Sequence, residues 1–143
     1  MLAGFSLLVL LFLISIPVVN DVISLGIEKD LKDTPLPIAT ELCDSLSVAG
    51  KIVGNGNGMQ FFGAILIKSA LSSDELEKHY SQFRKDEWSY IVEAQIGAEI
   101  TADDIGSLSF SHLENMANIE GYYIVYSWGS SSYPFSDFDI RGH

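Results

Sequence analysis

The side chains that could carry out acid–base or metal chemistry are few and widely spaced. The three histidines, His79, His112 and His143, belong to no H-E-x-x-H motif and to no Cys/His pair at metal-ligand spacing. His112 with Asp103 or Asp104 would suit a small hydrolase, but only if the fold brings them into one pocket with a nucleophile or a metal. The sequence therefore predicts no metal site and no cofactor, and it leaves this hydrolase as an alternative.

A glycine-rich stretch, Gly54-Asn55-Gly56-Asn57-Gly58, invites comparison with phosphate-binding loops. Those loops precede a helix N-terminus and are followed at once by Lys and by Ser or Thr. Here an apolar stretch follows instead, and the nearest downstream lysine is Lys68. Asn-Gly pairs accept the positive φ angles of tight hairpin turns, so the stretch is interpreted as a hairpin turn.

Aromatic residues are concentrated in the C-terminal half of the chain. Core packing is expected to take most of them, but any that stay exposed beside carboxylates would form a recognition surface for a protein, a peptide or a sugar. On this argument Trp88, Tyr126 and Trp128 are the predicted binding residues. No catalytic residue is predicted.

The charges are placed unevenly along the chain. The 143 residues include 8 Lys or Arg and 19 Asp or Glu, for a net charge of −11, and all of these follow position 20. The first 19 residues contain 15 apolar side chains and no charged one. A surface this acidic repels backbone phosphates, so nucleic acid is not an expected partner. The charged part has the length of about one domain, which argues against a multi-domain enzyme.

The apolar run from Leu2 to Val19 predicts a transmembrane helix, and the anchor is assigned to residues 1–27. The 18 residues of this run would form a helix about 27 Å long, close to the thickness of a hydrocarbon core. A removable signal peptide and a buried core helix are the alternatives, although the run has neither a basic start nor an A-x-A cleavage pattern.

Two arguments about the orientation in the membrane oppose each other. The positive-inside rule, applied to Lys29 and Lys32, would keep the rest of the chain in the cytoplasm. An apolar N-terminal segment followed by one soluble domain is, by contrast, the usual arrangement of an exported protein. We expect a single-pass membrane protein with an extracytoplasmic domain.

The remaining chain divides into a linker and a domain. Residues 28–40 alternate charges and then reach two prolines, which predicts a semi-extended linker. Residues 41–143 are assigned to a soluble domain, whose tail should pack onto it through its two Phe and Ile140. Hydrophobic patterning predicts its strands at 45–53, 59–69, 88–95, 108–113 and 122–128.

One helix is predicted over about residues 72–85. Ser72 and Glu75 have the spacing of a capping box, and Leu76, Tyr80 and Phe83 recur at helical intervals. The element order β-β-α-β-β-β then predicts an α+β fold. In this fold the transmembrane helix precedes a small two-layer domain, mostly antiparallel sheet with one main helix.

Three stretches resemble segments of small, uncharacterised bacterial proteins that have an N-terminal membrane segment. They are GNGNGMQFFGAILIKS at residues 54–69, Tyr126-Ser127-Trp128-Gly129, and the ending Asp139-Ile140-Arg141-Gly142-His143. Together they cover about a fifth of the chain. The resemblance implies a membrane-anchored bacterial protein, and it carries over no activity and no functional residue.

These observations predict a membrane-anchored, non-enzymatic extracytoplasmic module that binds another protein or a component of the bacterial envelope. The anchor, the linker, the small domain and the lack of a catalytic motif all favour this function. Besides the hydrolase described above, a second alternative is an acidic inhibitor or immunity-type protein. Its charge would steer it towards a basic target.

Overall fold

A long N-terminal helix, a four-stranded antiparallel sheet and a short second helix make up the fold. The computed structural model describes residues 2–53, 58–83, 89–100, 108–129 and 133–143, with side chains from residue 4 onwards. The predicted α+β class is confirmed. The elements are α1 (Leu2–Asp33), β1 (Thr40–Gly50), β2 (Gln60–Ser69), α2 (Ser73–Tyr80), β3 (Ile91–Ala94) and β4 (Tyr122–Gly129).

The strands lie in the order β1-β2-β4-β3, and every neighbouring pair is antiparallel. The predicted hairpin of β1 and β2 is confirmed, while its turn at residues 54–57 lies outside the described residues. Strand β2 is central, and its side chains from Phe61 to Ile67 are buried. Burial on both faces explains why this strand is apolar throughout instead of alternating.

Each face of the sheet carries its own hydrophobic layer. Helices α1 and α2 cover one face, where Leu31, Leu76 and Tyr80 pack with β2 residues such as Ile65. The irregular segments between β3 and β4 cover the other face. There the packed side chains include Phe62, Leu66, Ile100, Phe110, Leu113, Ile124 and Tyr126.

Helix α1 joins the domain through one stripe of its second half. Ile16, Asn20, Ser24, Ile27 and Leu31 recur at helical intervals and are all buried. Residues 28–33 belong to this helix, whereas the sequence predicted them to be part of a semi-extended linker. The helix ends at Asp33, just before Pro35, because the residue preceding a proline avoids the helical conformation.

A glycine allows α1 to approach the sheet closely. A Cβ atom on Gly63 would lie only 2.6 Å from the Glu28 backbone nitrogen and 2.8 Å from Ile27 Cγ2. No side chain fits in that space, so α1 crosses β2 almost backbone to backbone. The glycine thus sets the height of the helix above the sheet.

Helix α2 has the N-terminal capping box that the sequence predicts. The Ser72 backbone N–H donates to Glu75 Oε2 at 2.9 Å, and the Glu75 backbone N–H donates to Ser72 Oγ at 3.4 Å. Leu76 and Tyr80 are buried against the sheet, as their spacing indicated. The α-helix ends at Tyr80 and a 3-10 turn follows over Ser81–Phe83, so the regular helix is shorter than predicted.

The strand predicted at residues 108–113 is wrong. Ser109 forms only an isolated bridge with Glu99, and Ser111–Leu113 is a 3-10 turn. Phe110 and Leu113 are the buried residues, and their spacing of three suits a helical turn better than a strand. Asp44 Oδ2 holds this turn by accepting hydrogen bonds from Ser111 Oγ at 3.1 Å and the His112 backbone N–H at 3.0 Å.

Replacing Gly63 with Ala is expected to destabilise the fold by about 1–3 kcal/mol, because the new methyl group must push α1 away from the sheet. The measurement is urea unfolding of the detergent-solubilised full-length chain. Gly26→Ala is the matched control, since Gly26 lies on the exposed side of α1 with nothing within 4 Å of a Cβ. This control should gain up to about 1 kcal/mol. Equal stability of the two variants would contradict the close approach at Gly63.

Candidate functional site: the apolar half of α1 and the C-terminal tail

The first half of α1 exposes apolar side chains all round the helix, although Phe12 contacts the tail. Every residue from Leu7 to Ile14 is between 42% and 67% exposed, and none of them is polar. A helix that is apolar on all sides requires an apolar environment on all sides. Over Gly4–Asp33 the helix is long and apolar enough to cross a membrane, as a signal sequence or a soluble core helix would also be.

A polar cluster lies where α1 enters the domain, and we call its residues Asn20, Asp21, Asp139 and Arg141 the polar clamp. Asn20 Nδ2 donates to Asp139 Oδ2 at 3.0 Å, and both side chains are buried. Arg141 bonds to Asp139 Oδ2 at 2.7 Å and to Asp21 Oδ1 at 2.7 Å. Its Nη2 also donates to the Pro17 carbonyl at 3.0 Å. The C-terminal tail therefore holds α1 at the end of its uncharged segment.

The clamp depends on an ionised carboxylate. Hydrogen bonds from Arg141 lower the pKa of Asp139 to about 2, against the opposing effect of burial, and a bond from Asn20 adds to the lowering. The contacts with Asp139 and Asp21 in turn raise the pKa of Arg141. Both groups are therefore charged at neutral pH. Their charges are compensated within the clamp, which lets Asp139 remain ionised although it is buried.

The same tail is also fastened to the ends of β1 and β2. The Lys51 N–H donates to the Arg141 carbonyl at 2.7 Å, and the Gly58 N–H donates to the Gly142 carbonyl at 2.8 Å. The Met59 N–H donates to Asp137 Oδ1 at 3.0 Å. The predicted packing of the tail onto the domain is thus confirmed, but polar and backbone groups perform it. Of the apolar side chains that suggested it, Phe138 and Ile140 are exposed, and Phe135 packs against Phe12 of α1.

Aromatic side chains of the tail form an apolar surface with Phe12 of α1, which we call the apolar collar: Phe12, Tyr133, Phe135 and Phe138. Phe135 contacts Phe12 edge to face, with ring centroids 5.2 Å apart. It also contacts Tyr133 at 5.8 Å and Phe138 at 6.0 Å. Phe138 is 65% exposed and Ile140 is 85% exposed. The collar therefore continues the apolar surface of α1 onto the domain.

The structure describes two of the three predicted binding residues, Tyr126 and Trp128. Tyr126 is only 3% exposed, packs against Phe62, and donates from its hydroxyl to Glu93 Oε1 at 2.8 Å. It is a core residue, because β4 is central and both faces of the sheet are covered. Trp128 is partly buried and packs against the hydrophobic layer that contains Phe62 and Tyr126. Trp88 lies outside the described residues.

The residues of the hydrolase alternative are placed only in part. His112 is exposed on the 3-10 turn, and its Nε2 lies 3.5 Å from the Tyr122 hydroxyl oxygen. Asp103 and Asp104 lie outside the described residues. Within the described part of the chain, no group of three or more His, Cys, Asp or Glu residues is placed to hold a metal ion.

The polar clamp was missed by the sequence reasoning, although two signals pointed to it. Asn20 and Asp21 are the residues at which the apolar run is first broken by polar side chains. Arg141 is the only Lys or Arg after Lys85, so it is the one cation available to this acidic half of the chain. Asp21 and Arg141 are 120 residues apart in the sequence, and only the folded chain brings them into contact.

Comparisons with known proteins give no relative for this chain. No protein-family model matches it, and neither the curated proteins nor the solved structures include a match. The features of this chain that bear on its function are therefore the geometry of α1, the clamp and the collar.

Replacing Asp139 with Asn is expected to destabilise the fold by about 1–3 kcal/mol at pH 7, because Arg141 and Asn20 lose a buried carboxylate acceptor. Denaturant unfolding of the solubilised full-length chain measures this. Asp33→Asn on α1 is the matched control, since the ion pair of Asp33 with Lys29 is exposed. Such surface pairs contribute little, so the control should change stability by no more than about 0.5 kcal/mol.

The pH dependence of the same variant checks the ionised state. Because the pKa of Asp139 is lowered from 3.8 to about 2 on folding, its stabilisation is fully present above pH 3.8 and is lost as the pH falls through 2. The stability difference between the wild type and Asp139→Asn should therefore be constant near neutrality and shrink towards pH 2. A difference that does not change with pH would contradict an ionised clamp.

Proposed function

We propose that this protein is a membrane-anchored, non-enzymatic module that presents a small α+β domain outside the cytoplasm to a protein or envelope partner. The observation that supports the anchor is that one continuous helix has an exposed apolar first half and a second half built into the domain core. The exposed half needs a lipid environment, and the buried half ties the domain to it.

The same observation favours a retained anchor over a removed signal peptide. Cleavage after Val19, where the apolar run ends, would remove Ile16 from the core and Pro17 from its contact with Arg141. Cleavage farther along the helix would also remove Asn20, Ser24 and Ile27. A processed chain would thus lose part of its own fold. This favours a helix that stays attached to the domain it supports.

Leu10→Arg is expected to release the full-length chain from membranes, because a charge near the middle of a membrane helix costs about 2.5–3.5 kcal/mol. The readout is the share of protein that stays in the membrane pellet after carbonate extraction. Leu25→Arg is the matched control: Leu25 is 53% exposed and Leu10 is 54% exposed, but Leu25 follows the first charged residue. This control should remain in the pellet.

Equal behaviour of the two arginine variants would contradict the anchor. Intact-mass measurement of the wild type in the pellet tests the retained helix, since a mature chain beginning after Ile16 would identify the segment as a cleaved signal. Protease added from outside intact cells tests the orientation. Digestion of the domain supports an extracytoplasmic location, and protection would place it in the cytoplasm.

The partner-binding part of the proposal is tested by cross-linking in native membranes. We expect Trp128→Ala to reduce capture of the cross-linked partner several-fold, since Trp128 is, of the two predicted aromatic contacts that the structure describes, the one that stays partly exposed. Tyr126→Phe is the control, because it alters a buried hydroxyl and leaves the surface unchanged. A fall in melting temperature of Trp128→Ala that parallels the loss of capture would instead assign Trp128 to the core. Loss of capture on raising salt would indicate a basic partner.

A further inference from the structure

We propose that the C-terminal tail, residues 133–143, is a strap that releases α1 when the helix enters a bilayer of ordinary thickness. In the structure the tail is docked on α1. In the membrane it lets go of the helix and stays on the β1–β2 hairpin. The inference rests on the proposed anchor, and it adds that docking of the tail and full insertion of the apolar run exclude each other.

The part of α1 that precedes the tail is too short to cross a bilayer. The first described contact between them is that of Phe12 with Phe135, and it leaves the ten residues 2–11 ahead of it. Ten helical residues rise about 15 Å, which is half of a hydrocarbon core about 30 Å thick, and tilting would shorten the span further. The whole run from Leu2 to Val19 rises about 27 Å, which is sufficient.

The tail cannot follow the helix into the hydrocarbon. Arg141 bonds to the Pro17 carbonyl and Phe135 contacts Phe12, two and seven residues before the end of the run at Val19. Full insertion would place these contacts about 3 and 10 Å beneath the hydrocarbon boundary. An irregular segment with charged side chains is not stable there, because lipid offers no partners for its polar groups. The tail must therefore separate from α1 before the run can cross.

The polar contacts described between the tail and α1 leave no buried charge when they open. Asn20 Nδ2 donates to Asp139 Oδ2 at 3.0 Å and to the Ser136 carbonyl at 3.3 Å. Arg141 Nη1 bonds to Asp21 Oδ1 at 2.7 Å, and the Asp21 side chain is half exposed. The ion pair of Asp139 with Arg141 lies within the tail, so release does not break it.

The docked state also contains an unsatisfied polar atom. The Asn20 side chain is fully buried, and among the described residues its Oδ1 has no hydrogen-bond partner. A buried acceptor without a partner destabilises the state that contains it. After release, Asn20 follows Val19 at the end of the inserted run, where water and headgroups reach its amide. Release thus removes a cost that docking imposes.

The rest of the domain can stay on α1 while the tail lets go. The close crossing at Gly63 involves Ile27, which lies eight residues beyond Val19 and therefore about 12 Å outside the hydrocarbon. Pro17 lies inside α1 and lacks a backbone N–H, so the helix can bend between the inserted and the docked parts. The tail keeps its backbone bonds to the β1–β2 hairpin.

Bilayer thickness decides between the two states. A helix span shorter than the hydrocarbon strains the bilayer, and the strain grows with each ångström of mismatch. The cost of opening the clamp, by contrast, does not depend on thickness. Thin bilayers, and detergent micelles that adapt to a short span, should therefore keep the tail docked. Thicker bilayers should release it.

The test measures the distance between α1 and the tail as the lipid acyl chains are lengthened. Nitroxide labels are placed at Leu8→Cys, one turn before Phe12, and at Phe138→Cys, beside Phe135, in a Cys43→Ser background. The two native side chains are 67% and 65% exposed. The full-length chain, diluted with unlabelled chain, is placed in micelles and in dilauroyl, dioleoyl and dierucoyl phosphatidylcholine. Pulsed electron paramagnetic resonance gives the distance.

Three further variants provide the controls. The label pair Leu25→Cys and Leu42→Cys reports the second half of α1 against β1, and its distance should not change with the lipid. A single label at Leu10→Cys reports insertion, because oxygen reaches it in lipid and a water-soluble nickel complex reaches it in water. Asp21→Asn removes the ion pair between α1 and the tail, so this variant should release the tail in a thinner bilayer than the wild type.

We expect the distance between positions 8 and 138 to be short in micelles and in dilauroyl lipid. In the two longer lipids it should be roughly 10 Å greater, which is the helical rise from Phe12 to Val19. A distance that stays short in every lipid, with position 10 in lipid, would overturn the release and leave the anchor standing.

The other outcomes also decide. A long distance already in micelles would overturn the docked strap. Separation of positions 25 and 42 would show that the whole domain leaves α1, which contradicts a release confined to the tail. A water-exposed label at position 10 would overturn both the anchor and the release.

Discussion

The close crossing of α1 over β2 at Gly63 is the constraint on which the rest of the structure depends. Because no side chain separates the two backbones there, the second half of α1 lies deep enough for Ile27 and Leu31 to complete the core. The helix cannot be lifted away without opening that core. The apolar half of α1 and the domain therefore share one continuous element, and no flexible spacer lies between them.

Helix α1 has an exposed apolar half and a half built into the domain, and the polar clamp lies near the point where they meet. From Leu7 to Ile14, α1 exposes apolar side chains on every side; from Ile16 onwards, one stripe is buried and the rest is exposed or partly exposed. Asp139 and Arg141 come from the far end of the chain and stay charged because they neutralise each other. The tail thereby holds α1 near the point where its exposed apolar half ends, and it places aromatic side chains beside Phe12.

Some aromatic residues are buried and others are exposed, because both faces of the sheet are covered whereas the tail lies at the surface. Strand β4 lies between β2 and β3 with both faces covered, so Tyr126 contributes its ring to the core and its hydroxyl to Glu93. The tail is held by backbone and polar contacts, so Phe138 and Ile140 can remain outside. Among the described residues, most of the exposed large apolar side chains lie on α1 and the tail, which touch through Phe12 and Phe135.

The sequence by itself determined the features that depend on local patterns: the apolar helix, the Ser72–Glu75 capping box, the hairpin with its buried strand β2, and the α+β class. Local spacing also misled, since Phe110 and Leu113 belong to a 3-10 turn that Asp44 stabilises from a distant strand. Only the tertiary structure decided that α1 continues into the core and that Asp21 meets Arg141. The Asp21–Arg141 pair joins residues 120 positions apart, and Ile27 meets Gly63 across 36 positions. The energy of such contacts depends on a geometry that no local pattern encodes.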